Sequence, residues 1–377
     1  MTWGRSLGNG AQAGTRQQAG TRQVVGPTDA SRPPALDLLT SLRLFAALYV
    51  LLLHAGSSVV VGAGAPEPVV NFLRGGQLGV SFFFILSGFI LTYTYSRTRW
   101  DQRTLTDFGV GRVARIVPVY YLSLLIALPL FLPSASLEWA AGSLLLVQSW
   151  LPTAMFGGTP WNGLAWSLSV EALFYLLFPA LVLVTRRLGP KALGVALVVT
   201  WMLMVGLRLP RTFPEPGVIE FVHPALELVP FALLRVPEFI SGMLLAHLYF
   251  CRAWRFGNGV LLGTAAATVV VLAATDNEFV RASAAVLFGL VIFVAASSEG
   301  SVTRLLGSRA FVLLGGASYG IYIFQGAIYA WLDRLFDGGL VGDLLVWPTV
   351  IGFSVLVFQK YEEPLRRQIR SAYRKRH

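Results

Sequence analysis

The stretch LDLLTSLRLFAALYVLLLHAGSSVVV, residues Leu36 to Val61, decides the fold class of this chain. It is apolar over more than the about 20 residues that a helix needs to cross a bilayer. Three ionisable side chains nevertheless lie within it, at Asp37, Arg43 and His54. An ionisable group inside a spanning helix costs about 2.5–3.5 kcal/mol on insertion scales, so such a group commonly marks a pathway or a site.

Arg43 and His54 are 11 positions apart, which corresponds to three helical turns plus about 20°. Their side chains therefore project from one face of the helix, about 16 Å apart along its axis. This spacing predicts a functional site along that face. The alternative is an arginine that reaches the nearer membrane surface and a histidine that only packs between helices.

The composition is that of a membrane protein. Of the 377 residues, 55% are hydrophobic and only 13% are charged, and the mean hydropathy is +0.64, whereas soluble domains carry about 25% charged residues. The net charge of +11 could suggest nucleic-acid binding, but the basic residues lie in short loops between apolar runs, as cytoplasmic loops of membrane proteins do. We therefore predict an all-α polytopic membrane protein that does not bind nucleic acid.

Apolar runs predict about ten transmembrane helices and one re-entrant or interfacial helix at Leu137–Trp150, which is too short to cross. Residues 1–35 are predicted to form a disordered basic tail, residues 36–359 the membrane domain and residues 360–377 a basic cytoplasmic tail. The predicted spans are Leu36–Val61, Gln77–Tyr95, Val113–Leu132, Leu164–Val184, Ala192–Leu209, Pro230–Phe250, Val260–Ala274, Phe279–Ala296, Phe311–Trp331 and Leu340–Phe358.

The distribution of basic residues predicts the orientation. Of the 30 Lys and Arg residues, 23 fall on the side that carries both termini and six on the opposite side, which indicates cytoplasmic termini in the cell membrane. Arg43 and the pair Arg112 and Arg115, one helical turn apart, then lie toward the cytoplasm, and His54 lies toward the outside. The pair either binds phosphate or simply anchors a cytoplasmic helix end.

The stretch WNGLAWSLSVEALFYLLFP, residues 161–179, carries Glu171 just inside an apolar run that enters from the outer side. We expect His54 and Glu171 at similar depth, as a base and a carboxylate that orients it; alternatively, Glu171 forms an ion pair with an arginine in one of the helices. Glu238 is a further intramembrane carboxylate, which Arg235 could neutralise. No cluster of residues with metal-ligand spacing occurs in the sequence, so no metal is expected.

Six segments, in order, resemble the signatures of the acyltransferase-3 family, a family of integral-membrane acyltransferases, over about residues 36–365. The segments are LTSLRLFAALYVLLLHA, QLGVSFFFILSGFILT, FGVGRVARIVPVYYLSLL, WSLSVEALFYLLFP, VPEFISGMLLA and GGASYGIYIFQ. The matching motif residues are Arg43 and His54; Arg112, Arg115, Pro118 and Tyr120; and Trp166, Ser167 and Glu171. The chain departs from the family at Gln325, where many members have a second His, and at Ala172, where many have a second Glu.

The resemblance implies a membrane O-acyltransferase that moves an acyl group, with acetyl as the expected group, from acyl-CoA to a hydroxyl of a glycan, a glycolipid or a secondary metabolite such as a macrolide. No permanently bound cofactor is implied. The implied donor-binding residues are Arg43, Arg112 and Arg115, the catalytic residues His54 and Glu171, and the substrate-binding residues Trp166, Ser167, Glu238, Tyr319 and Gln325. His54 would act as a general base or as an acyl carrier. The alternative is a transporter or flippase, since transporters also carry charges within helices.

Overall fold

The computed structural model describes residues 37–151, 160–207, 229–337 and 339–376, and this part of the chain is almost entirely helical. The predicted all-α fold class is confirmed, since the described residues otherwise contain only one isolated bridge, between Phe256 and Ser298. The helices are α1 (Asp37–Gly62), α2 (Glu67–Arg74), α3 (Gly79–Tyr95), α4 (Gln102–Phe131), α5 (Leu137–Leu145), α6 (Trp166–Thr185), α7 (Pro190–Gly206), α8 (Phe231–Leu234), α9 (Val236–Cys251), α10 (Asn258–Ala274), α11 (Glu278–Ala296), α12 (Ser301–Leu306), α13 (Arg309–Leu335), α14 (Leu340–Val357) and α15 (Glu363–Arg376).

Seven helical segments of the described chain are long and apolar enough to cross a membrane. Three shorter apolar helices, at Pro190–Gly206, Asn258–Ala274 and Ser283–Ala296, occupy the positions of the other three predicted spans. The chain is therefore a multi-pass membrane protein, while the count of ten spans stays a prediction. Helix α5 has nine residues, which is too short to cross a bilayer, as expected for Leu137–Trp150.

Two regions outside the predicted spans are helical. The loop expected between the first two spans contains α2, whose apolar residues pack against α1 and α10. The expected C-terminal tail is instead α15, which packs against α4 and follows α14 through a π-helical turn at Phe358–Glu362. Helix α4 also starts 11 residues before the predicted span, because the Asp101 side chain accepts a hydrogen bond from the backbone N–H of Thr104 and caps the helix.

Close helix crossings at glycines hold the bundle together. A Cβ atom on Gly88 of α3 would lie 2.0 Å from the backbone oxygen of Phe239 of α9, and one on Gly242 of α9 would lie 1.8 Å from that of Ile85. These two backbones touch, as small residues allow between membrane helices. A Cβ atom on Gly315 of α13 would likewise lie 2.0 Å from the oxygen of Thr40 of α1.

The segment after α5 folds back onto the start of α6. Leu146 adopts a left-handed conformation (φ 59°) that ends α5, and the next residues bond to the first turn of α6. Gln148 Nε2 donates to the oxygen of Ala165 (3.0 Å), and Trp150 Nε1 donates to that of Ser169 (2.7 Å). The start of α6, which carries Trp166 and Ser167, is thereby fixed. The predicted tail at residues 1–35 and the loop at 210–228 lie outside the described residues.

Candidate active site

Two cavities lie in the middle of the helix bundle and share part of their walls. The first, here called the arginine cavity, has a volume of about 80 Å³ and is lined by Arg43, Arg112 and Arg115. The second, the histidine cavity, has a volume of about 550 Å³ and is lined by His54, among other residues. The side chains of Val80 and Tyr322 line both, so the two cavities meet at these residues.

The arginine cavity brings together the three arginines that the sequence singled out. Arg43 comes from α1, and Arg112 and Arg115 come from neighbouring turns of α4. All three are partly buried. Guanidinium groups held together in this way suit an anion with several oxygens, such as a phosphate.

Two carboxylates face these arginines. Glu171 of α6 accepts hydrogen bonds from Ser87 Oγ (3.3 Å) and from the hydroxyl of Tyr175. Glu362, in the π-helical turn before α15, is only 4% exposed. Arg43 and Arg115 lie within electrostatic range of both carboxylates, whose negative charges partly offset the positive charges of these two arginines.

Arg112 has a different environment. Its guanidinium carbon lies 5.6 Å from the ring centre of Phe108 and 5.5 Å from that of Tyr175, which are cation–π distances. Its buried Nε atom has no hydrogen-bond partner among the described residues. Arg112 therefore retains hydrogen-bonding capacity that a ligand could use.

The geometry of His54 fixes the roles of its ring nitrogens. Nδ1 lies 2.8 Å from the backbone oxygen of Val50, one turn earlier in α1. A carbonyl oxygen has no proton to give, so Nδ1 must carry the proton and donate it. In the neutral ring, Nε2 is then the atom with a free lone pair, as a general base requires.

Aromatic rings and amides line the histidine cavity together with aliphatic side chains. Trp161 stacks on Phe131 at 5.0 Å between ring centres, and its Nε1 donates to the oxygen of Leu124 (2.9 Å). The Asn162 side chain donates to the oxygen of Ile323 (3.1 Å) and accepts from the N–H of Leu164 (3.0 Å). These bonds fix the short segment before α6 as one wall of the cavity.

Comparison with known protein families identifies the class of protein to which this chain belongs. Residues 36–358 match the model of the acyltransferase domain that defines the acyltransferase-3 family. The chain belongs to the acyltransferase-3 family. It is therefore an acyltransferase, and this assignment replaces the alternative of a transporter or flippase. Its reaction needs an acyl donor and an acceptor. No solved structure matches the chain.

Relatives from several bacteria match the chain over most of its length, and two of the three named here are acyltransferases by name. The chain is 31% identical to acyltransferase MdmB of Streptomyces mycarofaciens over 336 residues, covering 83% of this chain and 84% of the relative. It is 31% identical to the exopolysaccharide production protein ExoZ of Rhizobium meliloti over 275 residues, 69% and 79% of the two chains. The O-acetyltransferase OatA of Staphylococcus aureus is 23% identical over 345 residues, 82% of this chain and 53% of OatA. The family and these names together support a membrane O-acyltransferase.

The expected pairing of His54 with Glu171 is not formed. The two side chains line different cavities, and the partner of the His54 ring is the backbone oxygen of Val50. The reason is the rise of α6: its first residue, Trp166, lines the histidine cavity, and Glu171 lies about 7.5 Å farther along the helix axis. Glu171 has the alternative environment, among arginines of other helices.

The other expected substrate-binding residues divide into two groups. Trp166, Ser167 and Tyr319 line a cavity, and Tyr319 also donates to the oxygen of Ile116 (3.0 Å). Glu238 and Gln325 are not among the described residues that line either cavity. Glu238 forms the alternative ion pair with Arg235 at 3.1 Å, and Gln325 is fully buried and donates to the oxygen of Tyr322 (3.0 Å).

Sequence analysis missed three residues of the arginine cavity and its surroundings: Ser87, Tyr175 and Glu362. Tyr175 could have been found, because it follows Glu171 by four residues and so lies on the same face of one helix. Glu362 could not, because the sequence gives no reason to expect the segment after the last apolar run to fold back against α4.

Proposed function

We propose that the chain transfers an acyl group, with acetyl as the expected group, from acyl-CoA to a hydroxyl of a glycan, a glycolipid or a secondary metabolite. The observation that carries this proposal is the meeting of two chemically different cavities at Tyr322. One offers arginines for an anionic donor, and the other offers His54 beside aromatic walls. A transfer reaction between two different substrates needs such an arrangement.

The donor would occupy the arginine cavity. CoA carries several phosphate oxygens, and guanidinium groups bind these through short, charge-assisted hydrogen bonds. The arginine cavity extends to Val80 and Tyr322, which also line the histidine cavity. The flexible pantetheine arm could therefore bring the thioester toward His54. On the predicted topology, the arginines face the cytoplasm, where CoA is found.

The acceptor would occupy the histidine cavity. Its tryptophan faces suit the apolar side of a sugar or macrocyclic ring, and His54 Nε2 is available to take the proton of an acceptor hydroxyl. The hydroxyl oxygen then attacks the thioester carbonyl, the carbon–sulfur bond breaks, and the proton held by His54 passes to the departing CoA sulfur. In the alternative route, Nε2 attacks first and carries the acyl group before the acceptor hydroxyl displaces it.

Turnover by the purified chain tests this proposal. Protein in lipid nanodiscs is mixed with radiolabelled acetyl-CoA and a panel of hydroxyl acceptors, and free CoA thiol and labelled acceptor are measured. We expect release of CoA that depends on the acceptor and label that moves to it. Label that stays on CoA with every acceptor, and with water, would contradict the proposed donor.

A further inference from the structure

The C-terminal helix α15 places additional arginines beside the arginine cavity. It packs against α4, and Arg370 reaches the backbone next to Arg112: a Cβ atom on Gly111 would lie 3.1 Å from Arg370 Nη2. Arg366, one turn earlier in α15, lies within electrostatic range of Glu362. The helix that sequence analysis treated as a tail thus extends the positive surface of the cavity outward.

Charge balance separates these arginines into two kinds. Arg366 and Arg367 both pair with Glu363, at 2.5 and 2.9 Å, and Glu171 and Glu362 face Arg43 and Arg115. Arg370 instead lies within electrostatic range of three cations, and no carboxylate of the described chain is within ion-pair distance of it. The three cations are Arg112, Arg366 and Arg374.

Like charges brought together by packing, with no carboxylate between them, are stabilised by an anion. Arg112 and Arg370 come from different helices and can approach one anion from two sides. The buried Nε of Arg112 also lacks a partner among the described residues. The site is exposed on the Arg370 side and reaches the cavity on the Arg112 side.

We propose that Arg112 and Arg370 form a phosphate subsite at the entrance of the arginine cavity, which binds the 3′-phosphate of the donor nucleotide. This inference rests on the proposed acyl-CoA donor. The thioester end of CoA must travel deepest, toward Tyr322, so the nucleotide at the other end of the molecule remains at the entrance. Its 3′-phosphate is a dianion with three free oxygens, which suits two guanidinium groups.

Binding of two donors to the full chain in neutral-lipid nanodiscs tests the subsite. Titration calorimetry compares acetyl-CoA with acetyl-3′-dephospho-CoA, which lacks only that phosphate. We expect the wild-type protein to prefer acetyl-CoA by about tenfold, which corresponds to about 1.4 kcal/mol. Arg370→Ala should bind both donors equally, and Arg370→Lys should retain most of the preference.

Arg367→Ala is the matched control, because it removes the same charge from the same helix at a residue that pairs with Glu363. It should keep the wild-type preference, and equal losses in both variants would overturn the subsite in favour of a general charge effect. A preference that survives in Arg370→Ala would also overturn it, while leaving acyl-CoA as donor. Wild-type protein that binds neither donor would remove the donor assignment and the subsite together.

A lipid headgroup offers the same phosphate chemistry and is distinguished by a second measurement. The wild type and Arg370→Ala are placed in nanodiscs with phosphatidylglycerol, and the lipid retained on the protein is counted by native mass spectrometry. Equal retention, together with loss of the CoA preference, supports the nucleotide. Reduced retention with an unchanged CoA preference would overturn the assignment to the donor.

Discussion

Ser167 of α6 donates a hydrogen bond from Oγ to the hydroxyl of Tyr322 of α13, at 2.8 Å. The hydroxyl of Tyr322 in turn donates to the backbone oxygen of Leu164 (3.1 Å). Both side chains are buried. Because Tyr322 lines both cavities and Ser167 lines the arginine cavity, this bond lies where the two cavities meet. We therefore expect an acyl group that moves from one cavity to the other to pass beside Tyr322.

Tyr322 variants should therefore separate transfer from hydrolysis. Tyr322→Ala opens the wall, and we expect faster loss of acetyl-CoA to water without acceptor. Tyr322→Phe keeps the ring and should cost only about 1 kcal/mol of stability, the usual contribution of one hydrogen bond. Tyr319→Ala is the control, because Tyr319 is on the same helix but lines only the arginine cavity. Equal hydrolysis by Tyr322→Ala and the wild type would show that Tyr322 is not the barrier.

His54 variants address the chemical step. His54→Gln should reduce acyl transfer at least about 100-fold, the lower end for a positioned acid–base group, because an amide cannot take up a proton at neutral pH. Donor binding should be unchanged. His247→Gln is a matched control, since that histidine lies outside the residues lining both cavities and contacts Thr185 Oγ1 at 3.1 Å.

Near wild-type transfer by folded His54→Gln protein would contradict the mechanism but not the family. Incubation of the wild type with radiolabelled acetyl-CoA, without acceptor, separates the two routes. Label that remains on the denatured protein and is lost in His54→Gln would identify an acyl carrier. Absence of label on protein that transfers the acetyl group as soon as acceptor is added would identify a general base.

The two arginines of α4 should respond differently to removal. Arg115→Ala leaves buried Glu362 without its strongest opposite charge, so we expect a loss of about 1–3 kcal/mol in stability, measured as a lower melting temperature in detergent. Arg112→Ala should melt near the wild type but bind acetyl-CoA about tenfold or more weakly. Arg187→Ala, at an exposed basic position after α6, should change neither property. Identical behaviour of all three variants would indicate ordinary charge anchoring.

The crossing of α3 and α9 should not tolerate a side chain. In Gly88→Ala, the new methyl group meets the rigid backbone of Phe239, so the helices must separate and the melting temperature should fall. In Gly263→Ala, nothing lies within 4 Å of the new atom, and the gain in helix propensity should leave stability unchanged or raise it by about 0.5–1 kcal/mol. Equal stability of both variants would contradict the close crossing.

Cysteine labelling tests the predicted orientation. Native Cys251 is exposed and should react with a membrane-impermeant maleimide only after the cells are permeabilised. In a Cys251→Ser background, Ala63→Cys, at an exposed position between α1 and α2, should react in intact cells. The reverse pattern would invert the topology and place the arginine cavity on the outer side.

Hydropathy predicted the helices of this protein well because a bilayer imposes a single requirement, an apolar run of sufficient length. The hydropathy criterion does not detect helices that are too short or too polar to cross the bilayer. It missed α2, which contains Glu67 and Asn71, and it missed α15, which is rich in arginine. Amphipathic helices at a bundle surface are stabilised by tertiary packing, which only the structure reveals.

The parts of the site whose residues lie on one helix were predictable from the spacing of those residues in the sequence. Arg112 and Arg115 share a face of α4, and both line one cavity with Arg43. Relations between helices were harder, because depth within the membrane does not determine which side chains meet. Glu171 was expected beside His54 and instead lies among arginines, since α6 continues past the wall at Tyr322.

The π-helical turn at Phe358–Glu362 has a consequence for how this protein can evolve. A π turn holds one residue more than an α turn, so deleting a single residue there would rotate all of α15 by about 100° relative to α14. Arg370 would then no longer lie beside Gly111, although the residues on either side of Arg370 in the sequence would be unchanged. A one-residue deletion in this segment would therefore separate Arg112 from Arg370 although it removes neither arginine.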